Sequence, residues 1–185
     1  MSGRRPVRER ILRAVLRVIG ASGVAGVTNR RIAAEAGVSL GSITYHFATQ
    51  TELLREALLL FVREETTRLT EFSRQRRGPV SVEQAAALVE QVVESTAFGR
   101  EEIAPLELYI QAGRDPSLRD AATECFAAYD ELARSVLRGL GVAEPARLAG
   151  PVVALVAGTQ LRRLATGASG STGIAEALTL LVRPG

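Results

Sequence analysis

The two side chains that most often carry chemistry, imidazole and thiol, occur once each, at His46 and Cys125. A structural zinc site takes about four such ligands, and a single cysteine cannot close an internal disulfide. A nucleophilic thiol needs a neighbouring base, yet no histidine shares the helix expected around Cys125. No phosphate loop of the G-x-x-x-x-G-K-[ST] type occurs either. The chain is therefore not expected to be an enzyme, and neither a metal nor a cofactor is expected.

Arginine is the abundant functional group that remains. All 23 basic residues are arginine, a uniformity that reads mainly as the codon bias of a GC-rich genome. Their distribution says more. Residues 1–50 hold arginines at 4, 5, 8, 10, 13, 17, 30 and 31 against Glu9 and Glu35, a charge of +6, whereas residues 51–185 total -3. A basic head on a mildly acidic body points to a polyanion as the partner of the head alone. Any single arginine is more often just a solvated residue on a helix face.

These groups must be positioned by helices. With 46% hydrophobic and 23% charged residues in 185, the chain can bury a core and is not a disordered polymer. No stretch reaches about 18 uncharged apolar residues, and no apolar signal core opens the chain, so a cytoplasmic location without membrane association is expected. Ile11, Ala14, Val15, Val18 and Ile19 form one apolar stripe at helical spacing over about Pro6 to Ala21. Thr28 can cap a helix over Asn29 to Ala36, Gly37 can end it, and Ser39 can cap a third helix through about Phe47. Thr49 or Thr51 opens a long fourth helix carrying Leu53, Leu54, Ala57, Leu58 and Phe61, stopped by Gly78-Pro79. Ser81 with Gln84 makes a capping box ahead of Val82, Ala86, Val89 and Val93. Further helices are expected near 102–113, 117–140, 144–165 and 172–182. Alternating strand patterns bounded by hairpin turns are missing from the sequence, so the fold class is all-α with about nine helices.

The segment Val27 to Phe47 has the layout of a helix-turn-helix. Ile32, Ala33 and Ala36 would face inward with Val38, Ile43 and Phe47. Gly37 supplies the positive φ that the tight turn needs. Leu40, Gly41, Ser42, Thr44, Tyr45 and His46 remain outward, on a helix thin enough for a major groove about 12 Å wide.

Thr28, Arg30, Ala36-Gly37-Val38-Ser39, Gly41, Tyr45-His46-Phe47 and Leu53-Leu54 together resemble the motif of the TetR family of transcriptional repressors, over roughly residues 8 to 60. The resemblance implies an Ω-shaped homodimer, each subunit with an N-terminal three-helix DNA-binding domain (residues 1–50) and a C-terminal effector-binding and dimerisation domain (51–185). Carried over residue by residue, it implies base contacts from Arg30, Leu40, Gly41 and Thr44. It also implies phosphate contacts from Thr28, Ser39, Tyr45 and His46. For Arg30 a solvated or purely phosphate-contacting side chain is an equal reading, as is helix packing for Gly41. Two departures stand out: Thr44 and Gln50 occupy positions where the family often has an aromatic residue and a lysine. Arg4, Arg5 and Arg8 are expected to replace the missing cation at phosphates.

The body is expected to dimerise and to sense. Leu148, Val152, Leu155, Val156 and Thr159 form one stripe and Ile174, Ala177, Leu178 and Leu181 another. They suit a four-helix seam between subunits, although each could equally face its own core. Phe61, Phe98, Leu106, Tyr109, Cys125, Phe126 and Tyr129 are candidates to line an effector cavity, with ordinary core packing the stronger reading for each alone. Glu107, Gln111 and Asp130 read as surface residues. The functional expectation is a regulator, most often a repressor, that binds a palindromic double-stranded DNA operator as a homodimer and is released by a small, largely hydrophobic effector. The alternative is a helical adaptor that binds no DNA.

Overall fold

The computed structural model describes residues 6–75, 81–95 and 98–182, with the side chains of 72–75 excepted. The described residues form α1 (Val7–Ser22), α2 (Asn29–Ala36), α3 (Leu40–His46), α4 (Gln50–Gln75), α5 (Val82–Ser95), α6 (Arg100–Arg114), α7 (Arg119–Gly139), α8 (Pro145–Thr166) and α9 (Ile174–Val182). Short 3-10 turns at Val24–Gly26 and Pro116–Leu118 join some of them, and there is no strand among the described residues. The all-α expectation holds. The expected stop at Gly78-Pro79 lies outside the described residues.

Caps and glycines set the helix limits as anticipated. The Thr28 and Ser39 hydroxyl oxygens accept the amides of Arg31 and Ser42, at 3.3 and 3.2 Å, satisfying donors that a helix start otherwise orphans. Gly37 is left-handed at φ 61°, a region costly for side chains with a Cβ. Thr49, not Thr51, caps α4, since its hydroxyl accepts the Glu52 amide at 3.1 Å while the Glu52 carboxylate accepts the Ala48 amide at 2.8 Å. Ser81 likewise accepts the Gln84 amide.

Two compact units emerge, each built from two chain segments. The first comprises Met1–Glu64 with Phe98–Cys125, the second Glu65–Ala97 with Phe126–Gly185. The boundary at 50/51 read from the sequence divides the chain by role, whereas packing groups the head with α6. In the first unit α1 packs against α2, α3 and α6. Burial on α1 extends beyond the single expected stripe to Leu12 and Leu16. In the second unit Ala86 and Val93 of α5 join Ile174 and Leu178 of α9 in one core cluster, flanked by Val89, Val152, Leu155, Val156 and Ala175. The Arg163 guanidinium of α8 donates to the carbonyls of Val93 and Glu94, closing the C-terminal end of α5 where the helix dipole favours a cation.

Candidate nucleic-acid interface

The scaffold of the helix-turn-helix is apolar and closed. Ile32, Ala33, Ala36, Ile43 and Phe47 are buried and Val38 is half-buried. Arg10 of α1 spans the turn, its Nη2 donating to the carbonyl oxygens of Ala36 at 2.6 Å and Gly37 at 2.8 Å. One guanidinium thus satisfies carbonyls that the end of α2 would leave unpaired and braces the start of α3 against α1. Gln50 donates to the Val27 carbonyl at 3.4 Å, so its amide is directed toward the strand-like residue ahead of Thr28.

The outward face carries the residues singled out for base and phosphate contact. Leu40 is 53% and Tyr45 85% exposed, so both present most of their surface outward. The Tyr45 ring meets that of His46 edge-on, with centroids 5.0 Å apart. Thr44 is exposed, its hydroxyl donating back to the Gly41 carbonyl at 3.2 Å, so it offers a methyl group and an acceptor lone pair outward. Ser39 uses its hydroxyl on Ser42. A Cβ at Gly41 would meet only the Ser39 hydroxyl, at 4.0 Å. Packing within the chain therefore does not explain that glycine.

The charge of the head is largely spoken for. Arg13 pairs with Glu9, Glu64 and Glu101, and Arg17 with Glu35 and Glu101. For both, burial pulls the guanidinium down, but hydrogen bonds and charge from these carboxylates outweigh it and leave the value raised. Arg31 donates to the Gly26 carbonyl and the Ser22 hydroxyl. Arg8 sits 5.2 Å from the Phe47 ring centroid and 3.2 Å from Glu56, partners with which a phosphate would compete. Arg4 and Arg5 lie outside the described residues. Arg30 is exposed and, of the described arginines of the head, alone has neither a hydrogen bond nor an ion pair among the described residues. Sequence reasoning missed the brace at Arg10 and the carboxylates of Glu64 and Glu101; only the Glu9 to Arg13 spacing was visible in advance.

The proposed effector-lining set is divided. Phe61, Phe98, Leu106, Tyr109 and Cys125 belong to the first unit and Phe126 and Tyr129 to the second. Cys125 is 1% exposed in the core, and burial foremost, with the Glu124 charge adding, pushes its thiol up to about 12. Phe126 is exposed. Tyr129 is half-buried and donates its hydroxyl to the Glu65 carboxylate. Glu107, Gln111 and Asp130 are half-buried.

The proposed dimer stripes pack in part within the chain itself. Ile174 and Leu178 are buried in their own subunit's core, against which Val152, Leu155 and Val156 also pack. Leu148, Thr159, Ala177 and Leu181 are half-buried. The outward face of α8 instead presents Pro151, Ala154, Gly158, Leu161 and Ala165, and α9 presents Leu180, which is 64% exposed. No group of three or more His, Cys, Asp or Glu residues able to hold a metal occurs among the described residues, and none of the described helices is long and apolar enough to cross a membrane.

Comparison with known proteins gives matches at both ends of the chain. Residues 11–57 match the family model described as bacterial regulatory proteins, tetR family, and residues 80–184 match that of the tetracyclin repressor-like C-terminal domain. A solved structure of the multidrug binding protein EbrR in complex with imidazole is 30% identical, covers 98% of each chain and superposes with a TM-score of 0.75. A member of the TetR family, SCO1917 from Streptomyces coelicolor A3, is 30% identical over 97% of this chain and 100% of its own, with a TM-score of 0.76. The HTH-type transcriptional regulator PksA of Bacillus subtilis (strain 168) is 41% identical over 66 residues, 36% of this chain. That match spans only 32% of the curated relative's own length.

Proposed function

Because the chain belongs to the TetR family of bacterial regulatory proteins, whose members are DNA-binding transcription regulators, we propose that it acts as a repressor on a palindromic operator. It binds there as a homodimer and leaves when a small, largely hydrophobic effector binds among the helices beyond residue 50. Regulators of this family are generally not enzymes.

One observation carries the reading. The outward face of α3 exposes Leu40, Gly41, Thr44 and Tyr45 beside an unpaired Arg30, while four other arginines of the head are consumed by internal contacts. Leu40 suits a thymine methyl, Gly41 lets the backbone approach a base edge, and Arg30 suits guanine or a phosphate. Thr28, Tyr45 and His46 supply phosphate contacts that set register. A single such head reads about one groove segment, so two copies on a two-fold axis supply the needed specificity. We assign the seam to the exposed face of α8 around Ala154 and Gly158 with Leu180 of α9, where small residues permit close helix approach. EbrR is described as a multidrug binding protein; a compact apolar ligand held by the helices beyond residue 50 is the corresponding reading for this chain. A ligand that favours one conformation shifts the recognition helices by no more than its differential affinity allows.

The test is anisotropy titration of a duplex selected from a random library by the purified protein. The expected result is two subunits bound per palindrome and an affinity that falls steeply with salt. One subunit per duplex, or binding indifferent to salt, would overturn the proposal.

A further inference from the structure

We propose that the outer face of α3 recognises a pyrimidine by its 5-methyl group, so that each half-site places thymine beneath Leu40 and a 5-methylcytosine at that position serves in its place. The inference rests on the DNA-binding reading above. In the major groove guanine is read by the paired donors of arginine or lysine, adenine by the amides of asparagine or glutamine, and the cytosine amino group by carboxylates. Helix α3 (Leu40–His46) contains none of those side chains. Its exposed residues are Leu40, Gly41, Thr44 and Tyr45. Leu40 and Thr44 stand one turn apart and so share one face. Thr44 commits its hydroxyl hydrogen to the Gly41 carbonyl at 3.2 Å, which leaves it a methyl group and an acceptor.

An exposed leucine pressed on a base edge decides what that edge can be. Against the ring nitrogen and carbonyl of guanine, or the amino group of adenine or cytosine, the alkyl chain would strip water and return no hydrogen bond. Against the methyl of thymine both surfaces leave water with nothing polar lost, a gain of about fourfold in affinity for one buried methyl-sized group. Gly41 permits the contact. A Cβ built there would meet nothing nearer than the Ser39 hydroxyl at 4.0 Å, so that side is open, and without a side chain the backbone beside Leu40 can lie close to the base. A 5-methylcytosine carries the same methyl on the same ring carbon, and the amino group that distinguishes it from thymine is a donor that the acceptor of Thr44 can take. Uracil and unmethylated cytosine lack the methyl. Guanine is left to the exposed Arg30 of α2.

Anisotropy titration of duplexes built on the selected sequence tests this, each thymine being changed to uracil in turn, symmetrically in both half-sites. At one position wild type should lose about fourfold per half-site, or roughly fifteenfold for the pair. Leu40→Ala, which trims an exposed side chain, should bind the thymine and uracil duplexes of that position within about twofold of each other, because the methyl then has no alkyl partner to bury it. Cytosine placed there should bind wild type more tightly once methylated at carbon 5, by about the same fourfold per half-site. Equal affinity for thymine and uracil at every position, a selected half-site without thymine, or no gain on methylating the cytosine overturns the proposal. A thymine preference that persists in Leu40→Ala reports DNA shape and overturns it as well. Should Leu40→Ala bind neither duplex measurably, the methylcytosine comparison on wild type decides. Failure of wild type to bind any duplex sinks the DNA-binding reading beneath.

Discussion

Gly20 of α1 lies so close to the first residue of α6 that a Cβ built on it would stand 1.8 Å from the carbonyl oxygen of Arg100. No rotamer change relieves that overlap, because the obstacle is backbone. An alanine in the interior of a helix ordinarily stabilises by about 1 kcal/mol relative to glycine. Here the sign should reverse. Gly20→Ala is expected to destabilise by about 1 to 3 kcal/mol, the usual cost of overpacking, read as a lower urea midpoint. A raised midpoint would mean that α1 and α6 are further apart than described.

Removing the brace at the recognition turn should affect stability and binding together. Arg10→Ala loses two charge-assisted bonds to Ala36 and Gly37, with an expected cost of about 1.5 to 3 kcal/mol. Arg10→Lys should recover only part, since one ammonium lacks the guanidinium's planar fork. Duplex affinity should fall in the same order. Wild-type stability in Arg10→Ala is the result that contradicts this.

Arg30→Ala should do the opposite, leaving unfolding unchanged within about 0.5 kcal/mol because the side chain has no internal partner, yet weakening duplex binding. A base contact would appear as about 1 to 3 kcal/mol of lost discrimination at one position, a phosphate contact as a salt slope reduced by about one. Unaltered affinity at every salt concentration would remove Arg30 from the interface.

A charge placed on the outer face of α8 should separate the subunits. Ala154 is exposed, so Ala154→Glu is compatible with a folded chain, while a carboxylate duplicated across a two-fold seam repels its symmetry mate. Sedimentation should report monomer for the variant and dimer for wild type. A dimeric variant would move the seam elsewhere.

The buried thiol offers a chemical probe of the first unit. With Cys125 raised from 9.0 to about 12, the folded chain keeps its proton where the unfolded chain gives it up. Its contribution to stability is complete below about pH 9 and falls as pH climbs toward 12. At pH 8 a thiol reagent should label the protein only in denaturant; prompt labelling of the native chain would place the sulfur at the surface.

The helix-turn-helix was legible because its signals are local. Thr28 and Ser39 cap within three residues, Gly37 must turn, and the alternation of Ile32, Ile43 and Phe47 with polar neighbours has no other use. The arginine partners were not legible, since Glu64 and Glu101 reach Arg13 from 51 and 88 residues away. The stripes on α8 and α9 left their partner open for another reason. Apolar periodicity states that a face is covered but not by what, and Ile174 and Leu178 looked the same from the sequence whether α5 or a second subunit covered them.

The first unit is stitched from Met1–Glu64 and Phe98–Cys125. A modular view in which the leading residues form a cassette, ready for transplantation onto a foreign sensor, therefore breaks down. A graft that stops at residue 50 would import Leu40, Tyr45 and Arg30 but leave their foundation behind, with α1 deprived of α6 and Arg17 stripped of Glu101. A working chimera has to splice in residues 98–125 as well. Nascent chains face the same constraint, since α1 leaves the ribosome long before the helix that shelters it.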